Sequence, residues 1–281
     1  MEVLGIDVGP GLFARWAGWL APPAQPFFSS PDGIRSATSG ELTAELVDTF
    51  KVWRIKGDRT PIWLDEPAFM ALEPAARRHL VRRQLEVGRG AVGRVRDWVD
   101  ILAPEALRAQ QAGGWFLWWP SLLGQAPNAA LGRFVATGEL ASRHREVPRS
   151  IWASCRGVLP GAEKLAGTFP PGSGPNCFGT VMAAAGVPAA EDVWMDLPPF
   201  EAWLNAATGV AGDDATPGTV LVWRDRSGAA THSAVAIGGG WGLEKPSQGW
   251  SAPRVILPIS EIKRVNRARG RRLERRHILT A

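Results

Sequence analysis

The sequence predicts an α+β fold in which helices come first and an antiparallel meander follows. Three observations lead there. Apolar residues recur at helical spacing from about Gly40 onward, and β-branched runs separated by glycine or polar turns begin at Thr219. The composition, 45% apolar and 21% charged over 281 residues, is that of a folded chain with one large domain or two modest ones.

The elements follow in order. The first forty residues are rich in Gly, Pro and Ser and show no clear period. Leu42, Leu46, Val47 and Phe50 then fall on one helical face. A second helical stretch covers about 65–87, with Phe69, Met70, Leu72, Leu80 and Leu85, and Pro67 and Pro74 predict that it is broken. Arg77, Arg78, Arg82 and Arg83 line its polar side, which reads as a solvated face. More helix is expected over 91–111. The run Trp115-Phe116-Leu117-Trp118-Trp119 suits a core best, although such a cluster also suits a sugar, a membrane surface or a partner. Residues 1–145 therefore read as a mainly helical region with no assigned role.

After Pro148 the texture changes. Helices are expected over 150–158 and 162–168, then a Gly/Pro-rich loop to Asn176. A small-residue helix over 177–185 follows, closed by Gly186 and Pro188. Another short helix over 199–207 precedes strands over 219–223, 232–237, 241–245 and 254–257. Residues 146–262 are expected as one domain and 263–281 as a basic C-terminal tail.

Charge and cysteine usage exclude several classes. The formal charge is +5, yet eight Lys and Arg lie between Lys263 and Arg276 against Glu274 alone. The rest of the chain is nearly neutral, so a protein that coats nucleic acid is not expected. The tail can offer an anionic partner, nucleic acid or membrane, a salt-sensitive attachment; a solvated end is the plainer reading. Cys155 and Cys177 are the only cysteines, too few for a disulfide scaffold and without zinc-type spacing to the four histidines. No metal and no cofactor are expected. No transmembrane run and no signal-peptide pattern over Met1–Asp7 are visible, so a cytoplasmic location is expected, with signal-independent export as the alternative.

Chemistry concentrates at Cys177. A cysteine in the first turn of a helix gains thiolate character from the helix dipole and unpaired N–H groups, and those groups can also hold an oxyanion. A buried inert cysteine is the plain alternative. His232 heads an apolar strand, where it can face a cleft and take the thiol proton. Glu244 lies across the Gly238-Gly239-Gly240 turn, so an antiparallel neighbour can bring its carboxylate to the ring. Gln248 and Ser247 are other candidates to orient it. Asn176, Ser173 and Gln248 are candidates for the oxyanion or for substrate.

These motifs carry a resemblance. Asn176-Cys177-Phe178-Gly179, Pro217-Gly218-Thr219-Val220-Leu221-Val222-Trp223 and Thr231-His232-Ser233-Ala234-Val235-Ala236-Ile237-Gly238 together resemble the NlpC-like branch of the papain-fold cysteine peptidases, with the CHAP amidases as close kin. The resemblance covers about 150–257. It implies a papain-like helix-plus-sheet domain and a thiol hydrolase, peptidase or amidase, that cleaves an amide bond of a peptide or other amide through an acyl-enzyme. Cys177 would be nucleophile, His232 general base and Glu244 its orienter. Thr219 stands where the family carries an acidic residue, and the family's tyrosine near the oxyanion has no counterpart, since the chain has no tyrosine. An acyltransferase on the same site, or an interaction module without turnover, are the alternatives.

Overall fold

Helix starts in this chain follow its prolines, and the strands that position the site follow its β-branched runs. A computed structural model describes residues 1–28, 38–39, 42–53, 55, 61–110, 112–210 and 212–279, so part of the Gly/Pro/Ser-rich start and residues 280–281 of the expected tail lie outside the described residues. The chain divides into two units, one made of Met1 and Val8–Thr137, the other of Glu2–Asp7 and Gly138–Ala281. The strands β1 (Glu2–Val3) and β2 (Ile6–Asp7) pair with each other and belong to the second unit.

The first unit contains α1 (Pro10–Leu20), β3 (Ala24–Phe27), β4 (Thr38–Ser39), α2 (Ala44–Thr49), β5 (Ile62–Asp65), α3 (Glu66–Ala71), α4 (Pro74–Glu86), β6 (Val92–Arg94), α5 (Pro104–Gln110), β7 (Trp115–Leu117), α6 (Pro120–Leu123) and α7 (Pro127–Ala136). Six of these helices carry proline in their first turn, where its missing N–H would be unpaired anyway. The break expected between 65 and 87 falls at Leu72 and Glu73, with Pro74 restarting the helix. The helix expected over 91–111 is corrected. Its first part is β6, paired with β7, because the bulky Trp115-Phe116-Leu117 favours a strand and Gly93 leaves room for the Phe116 ring, 2.4 Å from where a Cβ would stand. The tryptophan run belongs to the core: Trp118 and Trp119 are buried, and Phe69 lies 5.4 Å from Trp119 between ring centroids and 5.6 Å from Phe27.

The second unit contains α8 (Arg149–Cys155), α9 (Ala162–Leu165), α10 (Cys177–Ala184), α11 (Leu197–Ala207), β8 (Thr208–Val210), β9 (Thr219–Arg224), β10 (Ala230–Gly238), β11 (Trp241–Glu244), β12 (Val255–Pro258), α12 (Ile259–Val265) and β13 (Arg272–Ile278). Its six strands form one antiparallel sheet in the order β12-β11-β10-β9-β13-β8. Val220, Val222, Val235, Ile237 and Leu243 face one core, shared with α8 to α11. Leu221, Trp223, Ala234, Ala236 and Leu257 face the other, against Ile259 and Ile262 of α12. Burial on both faces is why these strands read as continuous apolar runs. The architecture is mixed helix and antiparallel sheet, an α+β arrangement.

The expected basic tail is overturned. Residues 263–265 end α12, and Arg272–Ile278 form a strand held between β9 and β8. Its inner charges, past Arg272, are matched: Arg275 meets Asp214 at 3.0 Å, Glu274 meets Arg224, and Arg276 donates to the Thr208 carbonyl at 3.1 Å. Paired heads and long aliphatic stems let such a sequence serve as a sheet strand. The boundary also moves, from 145 to 137–138. The segment 138–146 is tied to β1 and β2 by Ser142 N–H to the Leu4 carbonyl at 2.9 Å and by Arg145 to Glu2 and Asp7.

Candidate active site

The start of α10 is fixed from both sides. Asn176 caps it, its Oδ1 accepting the Gly179 N–H at 3.1 Å while its Nδ2 donates to the Met195 carbonyl at 2.8 Å. Gly174, at φ +118°, turns the loop in a way few other residues allow, and its N–H donates to the Gln248 carbonyl at 2.9 Å. The loop before Cys177 is thereby tied to the loop after β11. Lys245 secures that second loop, donating to the Gly249 carbonyl at 3.1 Å and to that of Ser247. Cys177 is half-buried as the first residue of α10. Its N–H and that of Phe178 have no acceptor among the described residues, so two donors remain open beside the sulfur.

His232 reaches the same place from β10. The β9–β10 register shifts between Ala230 and His232, and such irregularities re-aim side chains. The ring is buried, with Trp223 opposite it at 5.3 Å between centroids. Glu244 ends β11 opposite Ala234, diagonal to His232, within reach of a long side chain. Its Oε2 lies 3.0 Å from His232 Nε2, and only 1% of the residue is exposed. A carboxylate only accepts, so Nε2 carries the hydrogen and Nδ1 is the nitrogen left for the sulfur.

Burial works against charge at both groups, but mutual attraction prevails. Desolvation raises the Cys177 pKa; the charge and hydrogen bond of His232, with the N–H and hydroxyl of Ser233, outweigh it and hold the thiol below its ordinary range. Desolvation lowers the His232 pKa; the Cys177 thiolate and then Glu244 push it up to about 10. The arrangement favours a thiolate–imidazolium pair. Cys155 differs, because burial pushes its thiol up and no histidine is among the groups that shift it.

The structure thus brings Cys177, His232 and Glu244 into one chain of contacts. It does not free Asn176 for an oxyanion, since both ends of that amide are engaged at the helix start. Ser173 and Gln248 sit half-buried on the two loops flanking the sulfur. Two further residues escaped the sequence reading. Asn266, at the end of α12, donates through Nδ2 to Glu244 Oε2 at 2.8 Å and to the Ile262 carbonyl at 3.0 Å. Ser233 is fully buried, and among the described residues its hydroxyl has no hydrogen-bond partner apart from the sulfur. A lone serine inside an apolar strand was a readable signal. The lone amide of a basic segment was a fainter one.

Among the described residues no cluster of three or more His, Cys, Asp or Glu could hold a metal ion, and no helix is long and apolar enough to cross a membrane. No protein-family model, no curated protein and no solved structure matches the chain, so a functional reading rests on the geometry of this site.

Proposed function

We propose that the second unit is a thiol hydrolase of papain-like, NlpC-type architecture that cleaves an amide bond through an acyl-enzyme. The observation that carries the reading is the hydrogen-bonded series from the Cys177 sulfur through His232 and buried Glu244 to Asn266, set at a capped helix start. Other arrangements bury a cysteine or pair a histidine with a carboxylate. Here both occur at a helix N-terminus with open N–H groups.

In this reading the thiol proton rests on His232 before substrate binds. The sulfur attacks the amide carbonyl carbon, a C–S bond forms, and the oxyanion is met by the N–H groups of Cys177 and Phe178. The C–N bond then breaks as His232 returns its proton to the leaving amine. Water attacks the thioester next, giving its proton to His232. As the C–S bond breaks, the sulfur leaves as thiolate, the pair re-forms and the acid is released. An amine or alcohol in place of water would make the same site an acyltransferase. Glu244 holds the ring in one tautomer and supports its positive form, while Asn266 holds Glu244.

Alkylation kinetics test this. Iodoacetamide at pH 6.5, followed by peptide mapping, is expected to modify Cys177 at least tenfold faster than Cys155, since only the thiolate reacts and only Cys177 has a depressed pKa. Intact-mass analysis after exposure to an activated ester should show one acyl group on Cys177 and none in Cys177→Ala. Equal labelling of the two cysteines would overturn the reading.

A further inference from the structure

A cavity of about 590 Å³ opens at the β9–β10 hairpin, lined by 225–228 and by 270–272 of the loop leading into β13. Its walls are cationic. Arg226, Arg271 and Arg272 are exposed, and none makes an ion pair among the described residues; the same holds for Arg267 and Arg269 on the same loop. Asp225, the single carboxylate of the lining, is already engaged by the Ser227 hydroxyl at 2.5 Å and the Ser227 N–H at 2.8 Å. The wall is also fitted. Gly270, at φ +84°, lies against Arg226, whose Nε would stand 3.0 Å from any Cβ placed there.

Sheet register relates this cavity to the site. His232, Trp223 and Leu273 lie in one row across β10, β9 and β13, and Arg224 and Arg272 lie in the next row toward the hairpin, on the opposite face, the one against which α10 and Cys177 pack. Two strand spacings and one residue step put the Arg272 backbone about 10 Å from that of His232. About three extended residues span that distance. The loop that bears Arg271 starts at Asn266, the residue that holds Glu244. Guanidinium groups without carboxylate partners are suited to carboxylate or phosphate oxygens, which they grip in a planar fork.

We propose that this pocket receives an anionic group, carboxylate or phosphate, carried by the substrate of Cys177 about three extended residues from the bond attacked. The inference rests on the thiol-hydrolase reading and narrows its substrate to acidic peptides or similarly spaced acidic amides.

The test uses the full chain and four probes. These are neutral iodoacetamide and three peptidyl acyloxymethyl ketones that differ in having Ala, Glu or phosphoserine three residues from the reactive carbonyl. A single charge-assisted hydrogen bond in the pocket predicts that Glu or phosphoserine speeds labelling of Cys177 by at least about tenfold at 0.01 M salt, with the gain shrinking at 1 M. Which of the two gains more identifies carboxylate or phosphate as the preferred group. The combined change Arg226→Gln, Arg271→Gln and Arg272→Gln should abolish the gain while leaving the iodoacetamide rate unchanged. Equal labelling by all three peptides, or a gain that survives the change, overturns the pocket and leaves the cysteine reading standing. Slow iodoacetamide labelling of Cys177 in the unaltered chain overturns the cysteine reading, and the substrate claim with it.

Discussion

Replacing Glu244 by Gln keeps the size of the side chain and removes its charge, so it isolates what the carboxylate does for His232. The two groups meet at 3.0 Å in a setting where Glu244 is 1% exposed. A hydrogen bond to a charged group in such a place contributes about 1.5–3 kcal/mol. At about 1.36 kcal/mol per pH unit, losing it should lower the His232 pKa from about 10 by about one to two units. The sign has consequences for stability as well. A histidine whose folded pKa is raised stabilises the fold fully below its unfolded value of about 6.5 and loses that contribution as pH climbs through about 10. The lowered Cys177 pKa acts oppositely, contributing above the ordinary thiol value and fading as pH falls through the depressed one. Two assays apply. The His232 ring resonance in a nuclear magnetic resonance titration should move its midpoint to about 8 to 9. The alkaline limb of the rate of acyl transfer to Cys177, which needs the imidazolium as proton donor, should move with it. An unmoved midpoint in Glu244→Gln would refute the assignment of Glu244 as the group that supports the ring's charge.

Asn266 and Gly179 supply the other predictions. Asn266→Ala removes one donor from the buried carboxylate and is expected to slow Cys177 acylation by about fivefold to tenfold, from roughly 1 kcal/mol for the bond. Asn266→Asp sets a second carboxylate against Glu244; both cannot stay ionised, so the acid limb of the Cys177 alkylation profile should rise toward neutrality. A profile identical to the unaltered chain would show that Asn266 does not act through Glu244. Gly179→Ala gains about 1 kcal/mol of helix propensity, but its Cβ would stand 2.3 Å from the Ala190 carbonyl oxygen. Backbone cannot yield as a side chain can, so a net loss of about 1–3 kcal/mol is expected, read as a lower denaturant midpoint. A more stable variant would refute the close packing of α10 against the Ala190 carbonyl.

The parts of the second unit that were readable in the sequence are those where short-range signals and tertiary demands agree. The β-branched run from Thr219 lies in a sheet buried on both faces, so nothing competed with its strand character. The helix at Cys177 starts at a residue that caps and ends before Gly186, at φ +91°. Misjudged elements were those where the partner decides. The segment over 91–94 has ordinary local features and becomes a strand because β7 pairs with it. The strand from Arg272 reads as solvated until Asp214 is seen to meet Arg275, Arg224 to meet Glu274 and the Thr208 carbonyl to accept from Arg276. Charge composition cannot reveal partners that lie about 50 to 70 residues away in the chain.

The site divides along the same line, and this bears on how it works. Cys177 starts its helix, Glu244 ends its strand and His232 is the third residue of its own, so local sequence could nominate them. Asn266 left only a faint signal, because its role depends on α12 crossing the sheet face opposite α10 and stopping beside Glu244. Its Nδ2 bonds both Glu244 and the Ile262 carbonyl, so the length of α12 fixes where the carboxylate can stand. A one-residue change in α12 would rotate Asn266 by about 100° and withdraw the donor. The segment that composition reads as a solvated basic end is therefore joined to the site. Asn266 holds the group that orients the histidine, and Arg271 and Arg272, where the loop enters β13, line the cationic cavity.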